Sequence, residues 1–149
     1  MAAINKWHPR QVYFIQSYLQ APIGYDIYME LPKGFKTKEG GGRTHVLQLL
    51  KNIYGQNEVR GVWNHNLNNA LRQFDFKQST GDECGWYKYE TIFFYYVDDS
   101  IFIGPDSIDR VINEIEKAWL YIEDKGNIED YLGFNVEEKD NSNIKLTQP

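Results

Sequence analysis

Ile92-Phe93-Phe94-Tyr95-Tyr96-Val97-Asp98-Asp99-Ser100-Ile101-Phe102-Ile103 is the stretch on which the fold turns. Two apolar runs, Thr91 to Tyr96 and Ile101 to Ile103, flank a pair of adjacent carboxylates, a pattern that reads as two strands meeting at an acidic tip. Within a continuous strand neighbouring side chains point to opposite faces, so two successive Asp residues cannot share one ligand site. At a hairpin tip that alternation breaks, and Asp98 and Asp99 can both reach a hard cation such as Mg²⁺, which prefers oxygen ligands. On this reading the pair is half of a phosphoryl-transfer centre. A third carboxylate is expected from another strand, because two ions roughly 3.5 to 4 Å apart need acids that bridge them. The competing reading is a solvated turn, since Asp is a common turn former. These residues alone leave both open.

Working outward, the chain mixes strands and helices. Gln11 to Gln16 and Tyr25 to Glu30 read as strands, the second ended by Pro32 and Gly34. Thr37 to Arg43, with Gly40-Gly41-Gly42, reads as a loop. It lacks the Gly-Lys-Ser/Thr ending of a phosphate loop. His45 to Leu50 is a short strand, followed by a helix whose apolar residues Val59, Trp63, Leu67, Ala70, Leu71 and Phe74 recur at helical spacing and put one face on a core. Gly85 to Tyr89 precedes the central hairpin. A second helix follows Pro105, with Asp106 or Ser107 as its cap and Ile108, Val111, Ile112, Ile115 and Trp119 on one face. Tyr131 to Glu138 and Ile144 to Gln148 around Asn141-Ser142-Asn143 read as a closing hairpin. Strands alternating with two helices predict an α+β fold, an antiparallel sheet with helices packed on one face.

Composition limits the function classes. The 149 residues suit one domain with a sizeable core, and 42% hydrophobic with 15% aromatic residues argues for folding over disorder. A net charge of −5 is not that of a complete nucleic-acid-binding surface, because phosphate binding is driven by Lys and Arg that release counterions. Cys84 is the single cysteine, which excludes an intrachain disulfide and reads as a small hydrophobe beside a strand. No apolar run reaches the roughly 18 residues of a membrane span and no secretion signal opens the chain, so the expected setting is intracellular, cytoplasmic or nuclear, with no membrane partner. His8, His45 and His65 are too scattered for a metal cluster.

From Trp7 to Pro149 the chain resembles the reverse transcriptase of copia-type retrotransposons. The resemblance is carried in order by Gln20-Ala21-Pro22, Tyr25 to Phe35, Leu49-Leu50-Lys51-Asn52-Ile53-Tyr54-Gly55-Gln56, Val62-Trp63-Asn64, Phe76-Lys77-Gln78-Ser79, Asp82-Glu83-Cys84, Tyr96-Val97-Asp98-Asp99, Tyr131-Leu132-Gly133 and Lys145 to Pro149. It implies a ferredoxin-like polymerase palm, truncated at both ends, with the fingers before Trp7 and the thumb and ribonuclease H regions after Pro149 absent. Met1 to Lys6 then resembles the tail of a family helix. The implied activity is RNA-directed DNA synthesis by two-metal nucleotidyl transfer on an RNA or DNA template-primer with deoxynucleoside triphosphates. Asp98 and Asp99 are the implied catalytic and metal-binding acids, and Tyr18, Tyr96, Gly55 and Gln56 the implied substrate contacts.

Two segments depart from the family. Where its pattern places a catalytic Asp five residues before the aromatic Tyr18, this chain has Tyr13. A neutral phenol, with an ordinary pKa of about 10, is a poor Mg²⁺ ligand at neutral pH. Binding of Mg²⁺, or of Mn²⁺ in its place, is therefore expected to be weakened and the polymerase impaired. After Gln56 the family resembles Lys-Gln-Ala-Gly-Arg-Val-Trp, whereas this chain reads Asn57-Glu58-Val59-Arg60-Gly61-Val62-Trp63. A base is lost at Asn57, and Gly and Arg are interchanged. Three classes of function follow: an impaired reverse transcriptase palm that works with further polyprotein regions, a catalytically dead retroelement remnant, or a non-catalytic RNA-binding module using sheet aromatics.

Overall fold

Along the central hairpin burial alternates residue by residue, and this fixes how the sheet is layered. Thr91, Phe93 and Tyr95 of β6 (Thr91–Tyr96) and Ser100 and Phe102 of β7 (Asp99–Ile103) are buried, while Ile92, Phe94, Asp99, Ile101 and Ile103 between them are only partly so. The first set faces the helices. The computed structural model describes residues 7, 9–35, 45–105, 108–117, 120–139 and 143–148. The other described strands are β1 (Arg10–Phe14), β2 (Tyr28–Glu30), β3 (Val46–Gln48), β4 (Lys77–Gln78), β5 (Gly85–Lys88), β8 (Ile122–Asn127), β9 (Asp130–Tyr131), β10 (Phe134–Lys139) and β11 (Asn143–Thr147). The helices are α1 (Ser17–Gln20), α2 (Val59–Gln73) and α3 (Ile108–Lys117).

The main sheet runs β4-β5-β6-β7-β1-β8, with every neighbouring pair antiparallel. Four of its strands, up to the β8 edge, follow β1-α2-β6-β7-α3-β8 along the chain and lie side by side as β6-β7-β1-β8. This is the split β-α-β arrangement, in which each helix carries the chain past a neighbouring strand. Trp63, Leu67 and Leu71 of α2 and Ile108, Ile112 and Ile115 of α3 meet Val12, Phe14, Phe93 and Phe102 in one core. Phe93 lies at the centre of it, 4.4 Å from Phe102, 6.2 Å from Phe76 and 6.4 Å from Phe14 between ring centroids. On the opposite face Ile101 and Ile103 line an apolar crevice of about 220 Å³ together with Phe134, Val136 and Leu146 of the β11-β10-β9 sheet.

The α+β class and the two amphipathic helices agree with the sequence reading. Thr91–Tyr96 is a strand with the expected bounds. Other elements differ for local reasons. The first strand ends at Phe14, two residues early, because Gln16 takes a left-handed φ of 52° and turns the chain into the single-turn helix α1. The strands expected over Tyr25 to Glu30 and His45 to Leu50 shorten to three residues each, since β2 and β3 pair only with one another. The strand after the acidic tip begins at Asp99 rather than Ile101, so Asp99 belongs to the ladder and not to the turn. The closing hairpin starts at Phe134, after a Leu132-Gly133 turn in which both residues have positive φ.

Strand β8, Ile-Glu-Asp-Lys-Gly-Asn, has no apolar alternation and is held by its ladder with β1. Phe74 closes α2 and is half-buried against the core. Gly85 leaves room for the ring of its cross-strand partner Phe94, which a Cβ would approach to 2.9 Å. Met1 to Lys6, His8, the Gly40-Gly41-Gly42 loop, the Asp106 or Ser107 cap, Trp119 and most of the Asn141-Ser142-Asn143 turn lie outside the described residues. Among the described residues no helix is long and apolar enough to cross a membrane.

Candidate active site

The acidic tip is a two-residue turn, Val97-Asp98, closing β6 onto β7. Val97 has a φ of +58° and Asp98 does not share it. Positive φ at the first central residue alone belongs to the type II′ hairpin turn, where glycine is usual and a β-branched side chain is strained. Two hydrogen bonds from outside the hairpin hold the turn. The indole N–H of Trp63 donates to the Val97 carbonyl at 2.7 Å, and the Phe14 amide donates to the Asp98 carbonyl at 2.8 Å. Both donors rest on buried aromatics that pack edge to face, with ring centroids 5.3 Å apart.

Register then determines what surrounds the acids. Asp99 is the cross-strand partner of Tyr96 on one side and of Tyr13 on the other, and directly opposed residues share a face. Tyr13, Asp99 and Tyr96 therefore form a row across the face turned away from the helices, with Asp98 beside it at the tip. The Tyr13 hydroxyl donates to Oδ2 of Asp98 at 2.5 Å. That bond, burial and the negative charges of Asp98 and Asp99 push the Tyr13 phenol up to about 12. Burial first, then the charges of Asp98 and Asp130, raise the Asp99 carboxyl above its ordinary range, while a hydrogen bond from Gln11 works the other way.

No third carboxylate joins Asp98 and Asp99 among the described residues; the nearest in register, Glu123 of β8, lies on the far side of Tyr13. Among the described residues no group of three or more His, Cys, Asp or Glu side chains converges as a metal site. The position opposite the acids is taken by Tyr13, whose proton is directed at Asp98. His65 sits on α2 against Asn69, with 3.0 Å between Nε2 and Nδ2, and joins no cluster.

The remaining sequence-named residues lie on the flank toward α1. The Tyr18 ring packs on Tyr54 with centroids 4.5 Å apart, and Tyr54 has its hydroxyl 3.5 Å from Ser17 Oγ. Burial raises the Tyr18 phenol, and the Arg60 charge opposes it. Gly55 has a φ of +95°, which the turn before α2 requires and glycine adopts without strain. Gln56 accepts the Ile53 amide at Oε1, at 3.2 Å. Buried Asn52 fixes this turn to the end of α1 by donating to the carbonyls of Ala21 and Pro22 at 3.0 and 3.1 Å. In the divergent segment Glu58 accepts the Tyr25 hydroxyl at 2.9 Å, and the Arg60 guanidinium stands over the Tyr96 ring, 5.4 Å from its centroid.

Sequence reasoning placed Trp63 in the core, where it is fully buried, and missed the contact its N–H makes with the tip. It also missed Gln11, Asn52 and Arg60 as neighbours of the site. Asn52 lies inside a quoted motif. The other contacts depend on register and helix orientation, which spacing does not carry.

Across residues 1–149 the chain matches the family described as reverse transcriptase (RNA-dependent DNA polymerase). It is 26% identical over 137 residues to a Saccharomyces cerevisiae protein named for transposon Ty5-1, a match covering 88% of this chain and 44% of that protein. It is 29% identical over 110 residues to the retrovirus-related Pol polyprotein from transposon RE1 of Arabidopsis thaliana, covering 71% of this chain and 7% of the polyprotein. The chain thus spans less than half the length of these relatives. No solved structure matches it.

Proposed function

The chain belongs to the reverse transcriptase (RNA-dependent DNA polymerase) family, of the copia type, and from that premise we propose that it is a polymerase palm whose catalytic centre is impaired at Tyr13. The β6-β7-β1-β8 order, with two helices on one face, supports the palm reading. Asp98 and Asp99 are its two remaining acids, Tyr18, Tyr96, Gly55 and Gln56 flank the place of the nucleotide, and further Pol regions complete the template-primer groove.

Nucleotidyl transfer joins a primer 3′-hydroxyl to the α-phosphorus of a nucleoside triphosphate and releases pyrophosphate, and divalent ions held by carboxylates supply charge to both oxygens. The residues present do not fit that pair of ions. Two carboxylates face a neutral phenol, and the phenol spends its proton on Asp98, the oxygen an ion would need. This single contact carries the proposal. Losing a bridging acid costs several powers of ten in rate on the scale usual for a core catalytic group.

A catalytically dead retroelement remnant shares the same observation and differs only in whether any residual synthesis remains. The RNA-binding module has less support, because the face such a module would open to bases carries Asp99 and shares an apolar crevice with β10 and β11.

Primer extension on an RNA template with Mg²⁺ tests the proposal. Tyr13→Asp should extend at least ~100-fold faster than the native chain, in line with restoring a catalytic group. Native extension as fast as that of the variant would overturn it.

A further inference from the structure

Val97, at a φ of +58°, adopts a backbone conformation that a β-branched residue resists, and such a turn persists only where its surroundings over-determine it. Sequence alone offers no compensation, for the tip has no glycine. The compensation comes from α2. Trp63 is fully buried, its ring fixed edge-on against Phe14, and its one polar atom meets the Val97 carbonyl at 2.7 Å. One turn further along the same helix, Asn68 accepts the Tyr95 hydroxyl at 2.8 Å, so α2 grips the hairpin at two points, before and within the turn. The second carbonyl of the turn, that of Asp98, is taken by Phe14, the residue on which Trp63 rests.

We propose that Trp63 is a positioning residue of the site: its indole N–H, by holding the Val97 carbonyl, sets the strained turn and thereby the directions in which the Asp98 and Asp99 carboxylates leave the sheet. Calling those carboxylates catalytic rests on the function proposed above. The clamp itself is a property of the hairpin and can be tested without metal, substrate or turnover. It also ties the tip to the helix that begins at Val59, after the Gly55-Gln56 turn.

The test compares Trp63→Phe, which keeps an aromatic ring against Phe14 and removes the donor, with Leu67→Ala, a fully buried position on the same helix that makes no hydrogen bond to the tip. Amide hydrogen exchange and NMR relaxation dispersion are read at Phe14, Val97, Asp98 and Asp99, with Phe102 as the core reference. In Trp63→Phe the Phe14 amide, whose acceptor is the tip carbonyl of Asp98, should exchange at least ~10-fold faster relative to Phe102, with dispersion appearing at Val97 and Asp98. Leu67→Ala should leave that ratio unchanged even where its melting temperature falls further. An unchanged ratio in Trp63→Phe, or an equal change in both variants, overturns the proposal. Should Trp63→Phe not fold, benzothienylalanine at position 63, which keeps the bicyclic shape and lacks only the N–H, gives the same two readings.

Discussion

Tyr13→Asp should convert a chain whose stability ignores divalent ions into one that depends on them. The substitution removes the hydroxyl that donates to Asp98 at 2.5 Å and places a third carboxylate beside Asp98 and Asp99. A hydrogen bond to a charged acceptor contributes about 1.5–3 kcal/mol, and the lower end suits this partly exposed face. Asp99 is already raised by burial and by its acidic neighbours, so the added charge acts in the same direction. At about 2–4 °C per kcal/mol for a chain of this size, the metal-free variant should melt roughly 3–8 °C below the native protein. An ion at a hundredfold excess over its dissociation constant returns about 2.7 kcal/mol to a state that binds it only when folded. Titration with Mn²⁺ or Mg²⁺ should therefore lift the variant by roughly 5–11 °C on the same scale, while the native melting temperature stays within about 1 °C. Differential scanning calorimetry in chelator and then in rising metal reads both arms. Equal metal-dependent rises in the two proteins would refute the reasoning, since Asp98 and Asp99 would then hold an ion despite the phenol. No rise in the variant would show that position 13 is not where the missing ligand belongs.

Phe102→Ala, at a fully buried ring packed at a tilt on Phe93, should cost about 3–5 kcal/mol, seen as a lower urea midpoint with an unchanged slope. Asp99→Asn should stabilise the fold at neutral pH. The folded carboxyl is raised above 3.8, so the native state holds its proton more tightly than the unfolded chain and stability falls as pH rises from there through the folded value. The gain should be full near pH 7 and vanish below the ordinary carboxyl range, and urea midpoints at both ends of that range decide it.

The central hairpin was legible because its signal is local: two apolar runs and an acidic pair need no partner to be recognised. Helices α2 and α3 were legible for the same reason, through Trp63, Leu67 and Leu71 and through Ile108, Ile112 and Ile115 at helical spacing. Strand β8 was not. Glu123, Asp124 and Lys125 give no alternation to read, and the segment is a strand because β1 offers it a ladder. The site divides along the same line. Asp98 and Asp99 announce themselves in sequence, and Tyr13 only through the family resemblance, five residues before Tyr18. Asp99 lies in the ladder and only Asp98 in the turn, because the turn is closed by Val97 in a conformation that sequence gives no reason to assign to valine.

That arrangement explains how an acid can be exchanged for a tyrosine without disturbing the fold. The row of Tyr13, Asp99 and Tyr96 lies on the face turned away from the main core, so position 13 carries no packing that a carboxylate supplies and a phenol does not. Acids gathered in one place repel one another, and the charge of Asp98 adds to burial, the larger cause, in raising the Asp99 carboxyl. Tyr13 relieves part of it by giving Asp98 a proton to accept. On the function proposed above, the exchange favours the folded chain and weakens the metal centre through one and the same contact. Active sites hold this kind of strain in reserve, and relieving it moves a chain downhill in free energy. The sheet, the two helices and the Trp63 contact with the tip do not depend on position 13, because they are set by the core, on the other side of the strands.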